Sequence, residues 1–258
     1  MRKINLDELK QIQLNLLKEV HDFCMERGLR YSLGGGTLLG AVRHKGYIPW
    51  DDDIDLMMPR IDYDIFVKEF SGYKSFLVCG AYENDKSFIY PFAKVYDNRT
   101  QLKEKDFKGG IGVNIDVFPI DGYPNKNINK WEFFFFIVKM KFMMKAFYLK
   151  TKEKRSWKKI PFLILSDSYV KERANHLTRK YKCENTVFWG VVMGRYEEKE
   201  CYSHTVFSEY IELEFENLKF YAIKDYDTYL MGHYGDYMVL PPVEKQKRHH
   251  QTEAFWID

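Results

Sequence analysis

An α+β fold, a small mixed sheet with helices on it and a helical, basic additional region, is predicted by three observations. Apolar residues recur at helical spacing in some segments and alternate in others. The strand-like segments are short and crowd the first half of the chain, interleaved with helices. With 258 residues and 45% hydrophobic content, the chain can bury a sizeable core. Three regions follow: a core carrying the candidate chemistry over 1–125, a helical basic aromatic region over 126–185, and a C-terminal part over 186–258 that packs on the core.

Leu6, Leu9, Leu16, Leu17, Val20 and Phe23 fall at helical spacing between Asp7, read as a cap, and Gly28, so 5–27 is expected to be an amphipathic helix. Tyr31-Ser32-Leu33 is a short strand running into Gly34-Gly35-Gly36-Thr37. A short helix over Leu38–Val42 then carries Arg43, His44 and Lys45 at its end. After Pro49-Trp50, residues Asp51 to Met58 alternate acidic and apolar until Pro59, as a half-buried strand does. A helix over 61–70 follows. Strands are expected at 76–79, 88–95 and 112–118, the last ending in a turn over Pro119–Pro124. Helical, aromatic sequence runs from Trp131 to about Tyr148, basic sequence to Lys159, and another helix covers 166–182. Leu213–Ile223 reads as strand and Asp227–Tyr234 as a short helix before the Pro241-Pro242 stop.

Composition narrows the classes. Cys24, Cys79, Cys183 and Cys201 are scattered and form no metal-ligand spacing, so neither a disulfide framework nor a zinc site is indicated, and a reducing cytosol suits the chain. No signal peptide and no apolar run of about 20 residues is present. A cytoplasmic protein is therefore expected. Charge is uneven: Lys130–Lys159 holds ten Lys/Arg against Glu132 and Glu153, a local +8, which leaves −5 on the rest of a chain whose total is +3.

The chemistry gathers around Asp51-Asp52-Asp53-Ile54-Asp55. On a strand, Asp51, Asp53 and Asp55 share one face while Ile54 and Leu56 point to the other. Like charges so placed repel, and a divalent cation such as Mg²⁺ removes the repulsion, with Asp53 and Asp55 as ligands and phosphate and water completing its shell. The plainer reading is a solvated acidic turn. The glycine turn upstream can bring backbone N–H groups to phosphate oxygens at a helix start. Asp116, between two β-branched residues, can join the same face as a third catalytic and metal-binding carboxylate, with Asp51 or Asp121 as substitutes. One of these carboxylates can also take a proton from an attacking hydroxyl. Arg43, His44, Lys45 and Lys94 are candidate partners for phosphate charge, or else ordinary surface charge.

These residues, from Leu33 through the acidic run to Phe66, resemble the signature block of the LicD family, which is similar to the fukutin-related proteins. The resemblance continues through Ala93–Thr100, Asn114–Gly122, and Tyr229-Leu230, Tyr234-Gly235-Asp236-Tyr237-Met238, Pro241-Pro242 and His249. It does not reach roughly 131–185. The resemblance implies a nucleotidyltransferase fold like the polymerase β palm. It assigns donor binding to Gly35, Gly36 and Thr37, and metal binding and catalysis to Asp53, Asp55 and Asp116. Threonine stands where the wider superfamily often has serine, and the glycine-to-aspartate spacing is long.

The resemblance further implies Mg²⁺, or Mn²⁺, as cofactor and CDP-choline as donor, with phosphocholine passing to a sugar hydroxyl of a lipopolysaccharide or teichoic acid type of glycan. A quaternary ammonium would need aromatic faces, for which Trp50, Tyr47, Trp189, Tyr234 and Tyr237 are candidates, each also readable as a core ring. The same site could instead move glycerol phosphate or ribitol phosphate from a related CDP-alcohol, which the choice of donor discriminates. It could also add a nucleotide from an NTP, marked by pyrophosphate release. A nucleic-acid-binding module using the basic helix is opposed by the acidic face and would show salt-sensitive duplex binding. The basic helix could equally bring the protein peripherally to the inner face of an anionic membrane, steer an anionic glycan acceptor, or be a buried helix with a solvated tail.

Overall fold

The computed structural model describes residues 1–104, 110–151, 165–247 and 252–257. Strand β1 (Arg2–Ile4) leads into helix α1 (Leu6–Arg27). Its cap is Asn5, whose side chain accepts the Glu8 N–H at 2.9 Å, and not Asp7, which sits in the first turn where it favours the helix dipole. Gly28 closes the helix at φ 64°. Strand β2 (Ser32–Leu33) precedes α2 (Gly35–His44). That helix begins three residues earlier than its apolar pattern, because Gly34 caps it and Gly35 and Gly36 form its first turn.

Strand β3 (Asp55–Pro59) is shorter than the alternation suggested: residues 51–54 alternate in burial as expected but lie outside the sheet. Helix α3 (Arg60–Glu69) follows, then β4 (Leu77–Gly80) and β5 (Ala93–Asp97). The strand expected from Phe88 starts only at Ala93. Pro91 cannot donate to a ladder, and Phe88, Tyr90, Phe92 and Phe118 instead stack in series with centroids 4.2–5.8 Å apart. After β6 (Thr100–Glu104) comes β7 (Asn114–Tyr123), which overturns the turn expected at Pro119. The Asp116 N–H donates to Ile54, so the odd-numbered N–H positions of β7 face its other edge. On that edge β5 stops opposite Val117 and β8 begins opposite Asp121. Pro119 falls in the gap, where a missing donor costs nothing.

Helices α4 (Lys130–Thr151) and α5 (Asp167–Thr178) pack together, with β8 (Phe188–Gly190) and β9 (Tyr202–Ser203) beyond them. The basic residues expected at 152–159 lie outside the described residues, as does His249. The single strand expected at 213–223 is a hairpin, β10 (Tyr210–Phe215) and β11 (Leu218–Ile223). Glu216 and Asn217, at φ 52° and 61°, make the two-residue turn with both central residues left-handed that suits strand twist. Helix α6 (Tyr226–Tyr234) and β12 (Thr252–Trp256) complete the described elements.

The main sheet has the order β2-β3-β7-β5-β4, with β3 and β7 parallel and the other pairs antiparallel, and β8 and β9 extend it from the far end of β7. A mixed sheet with helices, an α+β architecture, is thus what the chain builds. Strand β12 pairs with both β1 and β6 in a smaller sheet. One core joins α1, α2, α3 and the main sheet through side chains such as Leu17, Phe23, Leu56 and Phe66. A second joins α4, α5 and β8 through Phe136, Met140, Ala174 and Phe188.

Candidate functional site

Strand register assembles the acidic centre. Asp55 on β3 stands opposite Asp116 on β7, and Lys94 on β5 stands opposite Asp116 from the other side, so the three form one row across adjacent strands. Lys94 is buried and donates to Asp116 Oδ1 at 2.5 Å and Asn114 Oδ1 at 3.1 Å, with its ammonium 4.5 Å from the Tyr90 ring centre. The Asp55 backbone is held from both sides of the helix start: Gly34 N–H donates to its carbonyl at 2.8 Å, and its own N–H donates to Thr37 Oγ1 at 2.9 Å.

Asp51, Asp53, Asp55 and Asp116 face a cleft of about 750 Å³ together with Gly34, Gly35, Gly36 and Arg43. Burial first, then the charges of Asp53, Asp116 and Asp51, pushes the Asp55 carboxyl well above its ordinary range. Burial and Asp53 push Asp51 up to about 7. The glycines matter for space as well as for backbone. A Cβ on Gly35 would lie 3.1 Å from Asp55 Oδ2, and one on Gly36 would lie 2.8 Å from Asp51 Oδ2. Gly35 also has φ 47°, which a side chain would strain. Helix α2 therefore presents its bare first turn, with no side-chain cap and no acidic residue, to the same space as the carboxylates.

The opposite wall is aromatic. Trp50, Phe118, Tyr196, Tyr229, Tyr234 and Tyr237 line the cleft, with Arg195, Glu200 and Asp236 among them. The Gly35 N–H donates to Tyr229 Oη at 3.4 Å, which ties this wall to the glycine turn. Tyr196 meets Tyr234 edge-on at 5.5 Å and His233 at 4.6 Å. Glu200 and His233 anchor the wall from behind: His233 Nε2 lies 3.0 Å from Glu200 Oε2, its Nδ1 lies 2.7 Å from Tyr202 Oη, and Glu200 Oε1 accepts the Tyr196 N–H at 3.4 Å. Both side chains are buried, so this link fixes α6 against the turn that carries Arg195 and Tyr196.

Of the residues singled out in the sequence, Asp53, Asp55, Asp116, Gly35, Gly36, Arg43, Trp50 and Tyr234 come together on this cleft. Thr37 lies behind it, buried, holding Asp55. His44 accepts from Arg43 Nε at 2.9 Å, and burial followed by the Arg43 charge lowers its pKa. Lys45 ends α2 at φ 60°, and its exposed side chain lies away from the cleft lining. Tyr237 lines the cleft but Tyr47 and Trp189 do not: Tyr47 packs on Phe215, and Trp189 donates to the Cys183 carbonyl. Asp121 is also elsewhere, clasped by Arg60. Sequence reasoning missed Arg195, Tyr196 and Glu200, and quoted Asp236 only as part of the resembling block around Tyr234. Their segments have little periodicity, and the signal available was the Gly194-Arg195-Tyr196 turn after an apolar run.

Among the described residues, no three His, Cys, Asp or Glu side chains close around one point. Asp53, Asp55 and Asp116 offer oxygen donors only, and the charges of Asp53 and Asp116 help to raise the Asp55 carboxyl's pKa; hard divalent ions such as Mg²⁺ prefer donors of that kind.

The model described as LicD/FKTN/FKRP, nucleotidyltransferase domain, matches residues 28–167. A Haemophilus influenzae protein named lipopolysaccharide cholinephosphotransferase LicD is 35% identical over 270 residues, covering 99% of both chains. The chain belongs to the LicD family. The mouse protein named ribitol 5-phosphate transferase FKRP is 66% identical over 104 residues, 39% of this chain and 18% of its own length, and the human protein of that name matches alike. The LicD-family domain match encloses the glycine turn and Asp51, Asp53, Asp55 and Asp116 but ends before Tyr196, Glu200, Tyr229 and Asp236. The match to the Haemophilus protein extends over 99% of the chain.

Proposed function

We propose that this chain is a metal-dependent transferase of nucleotidyltransferase fold that moves phosphocholine from CDP-choline to a sugar hydroxyl of a cell-surface glycan or glycolipid. The observation that carries this reading is one cleft in which an uncapped glycine helix start, five aspartates and six aromatic rings meet. Support for the chemistry comes from the names of the relatives, one a cholinephosphotransferase and the other a ribitol 5-phosphate transferase.

The first turn of α2 receives the donor's diphosphate on backbone N–H groups at the positive end of the helix. Arg43, donated through Nη1 to the Tyr237 carbonyl at 2.6 Å, is held at the cleft as a fixed positive charge. Asp53, Asp55 and Asp116 would hold Mg²⁺ or Mn²⁺, which when bound would neutralise charge on the transferred phosphate. The acceptor hydroxyl attacks the phosphorus that carries choline, its oxygen–phosphorus bond forms as the bond to CMP breaks, and a cleft carboxylate takes the proton. Asp51, whose pKa burial and Asp53 push up to about 7, is in its ionised form the carboxylate poised for that role. Lys94 fixes Asp116 and offsets part of the negative charge of the row. The aromatic wall suits a trimethylammonium group, which attracts ring faces and cannot donate hydrogen bonds.

Equilibrium binding of CDP-choline, CDP-glycerol, CDP-ribitol and CTP, each with and without Mg²⁺, tests this reading. Strongest binding of CDP-choline, dependent on Mg²⁺, is expected. Preference for CDP-ribitol would move the chain to the second reading, which the FKRP likeness favours. Metal-independent binding, or none, would refute both.

A further inference from the structure

We propose that the outward face of α4 seats the protein on an anionic lipid surface. The inference is independent of what the cleft turns over. The helix is apolar on two sides. Phe136, Ile137, Met140, Met143 and Ala146 face the second core, while Trp131, Phe134, Phe135, Val138 and Phe142 face outward. Their spacing of three, four and seven places the outer five along one stripe about 16 Å long. Trp131 is 74% exposed, and its ring groups with those of Phe134 and Phe135 at centroid distances of 5.6–6.4 Å. An apolar stripe on one face accounts for one side of a helix, and the second core already uses it. Trp131, Phe134, Phe135 and Val138 lie outside that core and present an apolar patch with three large rings to solvent.

Charge identifies the occupant. Exposed Lys130, Lys139 and Lys145 flank the stripe, and the sequence from Lys130 to Lys159 carries +8. Aromatic rings beside lysines match a membrane interface, where rings enter the headgroup boundary and ammonium groups meet anionic headgroups. A second copy of the chain docked here would set these lysines against their counterparts, which opposes association. Among the described residues no helix is long and apolar enough to cross a bilayer, so α4 would lie in the interface and not span it.

Flotation of the full chain with vesicles tests the proposal, using phosphatidylcholine alone or containing roughly one-third phosphatidylglycerol. Binding to the anionic vesicles, weakened by salt, is expected. The variant Trp131→Ser/Phe134→Ser/Phe135→Ser loses affinity on the order of tenfold. Lys139→Glu/Lys145→Glu loses more on anionic vesicles, about 25-fold or beyond, since each lysine near the surface contributes about fivefold and each glutamate adds repulsion. Circular dichroism establishes that each variant is folded. As a second readout, brominated lipid quenches Trp fluorescence in the wild type and less in Trp131→Phe. Failure of the wild type to bind, binding unchanged in both multiple variants, or quenching that does not depend on Trp131 would overturn the proposal. A dimer in solution that the aromatic variant disperses, without lipid binding, would assign the stripe to a second copy instead and also overturn it.

Discussion

Replacing Arg60 by methionine should destabilise the protein heavily and leave the cleft's chemistry intact. Arg60 Nε and Nη2 donate to Asp121 Oδ1 and Oδ2 at 2.7 and 2.6 Å, and Asp121 is only 2% exposed. Asp64 and Glu83 lie farther from Arg60, at 3.5 and 3.7 Å. Burial pushes the Asp121 carboxyl above its ordinary range even with Arg60 beside it. Without the guanidinium, a carboxylate is stranded in the interior, at a cost of about 3–5 kcal/mol. For a chain of this size that corresponds to roughly a 10 °C fall in melting temperature. A raised carboxyl pKa fixes the sign with pH: the penalty is absent below the ordinary value of 3.8 and grows as pH rises above it, so the deficit of Arg60→Met should shrink from pH 7 to pH 5. Thermal denaturation of Arg60→Met, Asp121→Leu and the double variant measures the coupling. The double variant should recover most of the loss, because two apolar residues leave no stranded charge. A single variant that melts within about 2 °C of wild type, or a double variant that shows the simple sum, would refute the reasoning.

Three further outcomes follow from the same geometry. Thr37→Val removes the oxygen that accepts the Asp55 N–H; a stability loss of about 1 kcal/mol is expected in denaturant melts, with weaker Mg²⁺-dependent donor binding. Glu200→Ala strips His233 Nε2 and the Tyr196 N–H of their buried acceptor, so about 1–3 kcal/mol should be lost. Donor affinity should fall with it, as calorimetry would record, while affinity for free Mg²⁺ stays near wild type. Half-buried His21, 2.7 Å from Tyr31 Oη, has its pKa lowered by burial against the opposing pull of Asp22 and Glu212. The stability it contributes is present above its ordinary 6.5 and is lost as pH falls through the folded value. Melting temperature should therefore drop between pH 7 and pH 5 by more in the wild type than in His21→Phe.

The acidic half of the site was legible because its signals are local. Glycines next to a helical pattern, and aspartates two apart among apolar residues, give both backbone and side-chain direction within a few positions. Pairing Asp55 with Asp116 depends on strand register, which the sequence offers only through the matching alternation of two distant segments. Pro119 misled because a proline normally ends a central strand, and its place between the ends of β5 and β8 is a property of the whole sheet. The same misreading kept Asp121 as a substitute for Asp116. On a continuous β7 they stand five positions apart, an odd offset, and face opposite sides. The aromatic wall was only half visible. Tyr234 and Tyr237 belong to a recognisable block, whereas Tyr196 reaches the cleft through Glu200 and His233, contacts made between segments without periodicity.

The account turns on Asp55 being kept in a crowded, half-buried acidic row because a cation and a donor use it. The decisive measurement is the melting temperature of wild type and Asp55→Asn, with and without Mg²⁺ plus CDP-choline. Replacing a carboxyl whose ionisation is penalised by burial and by Asp53, Asp116 and Asp51 should leave the ligand-free variant at least as stable as wild type. Only the wild type should then gain stability from Mg²⁺ and donor together. An equal ligand-induced gain in Asp55→Asn, or none in either protein, would contradict the assignment of this cleft to metal-dependent phosphoalcohol transfer.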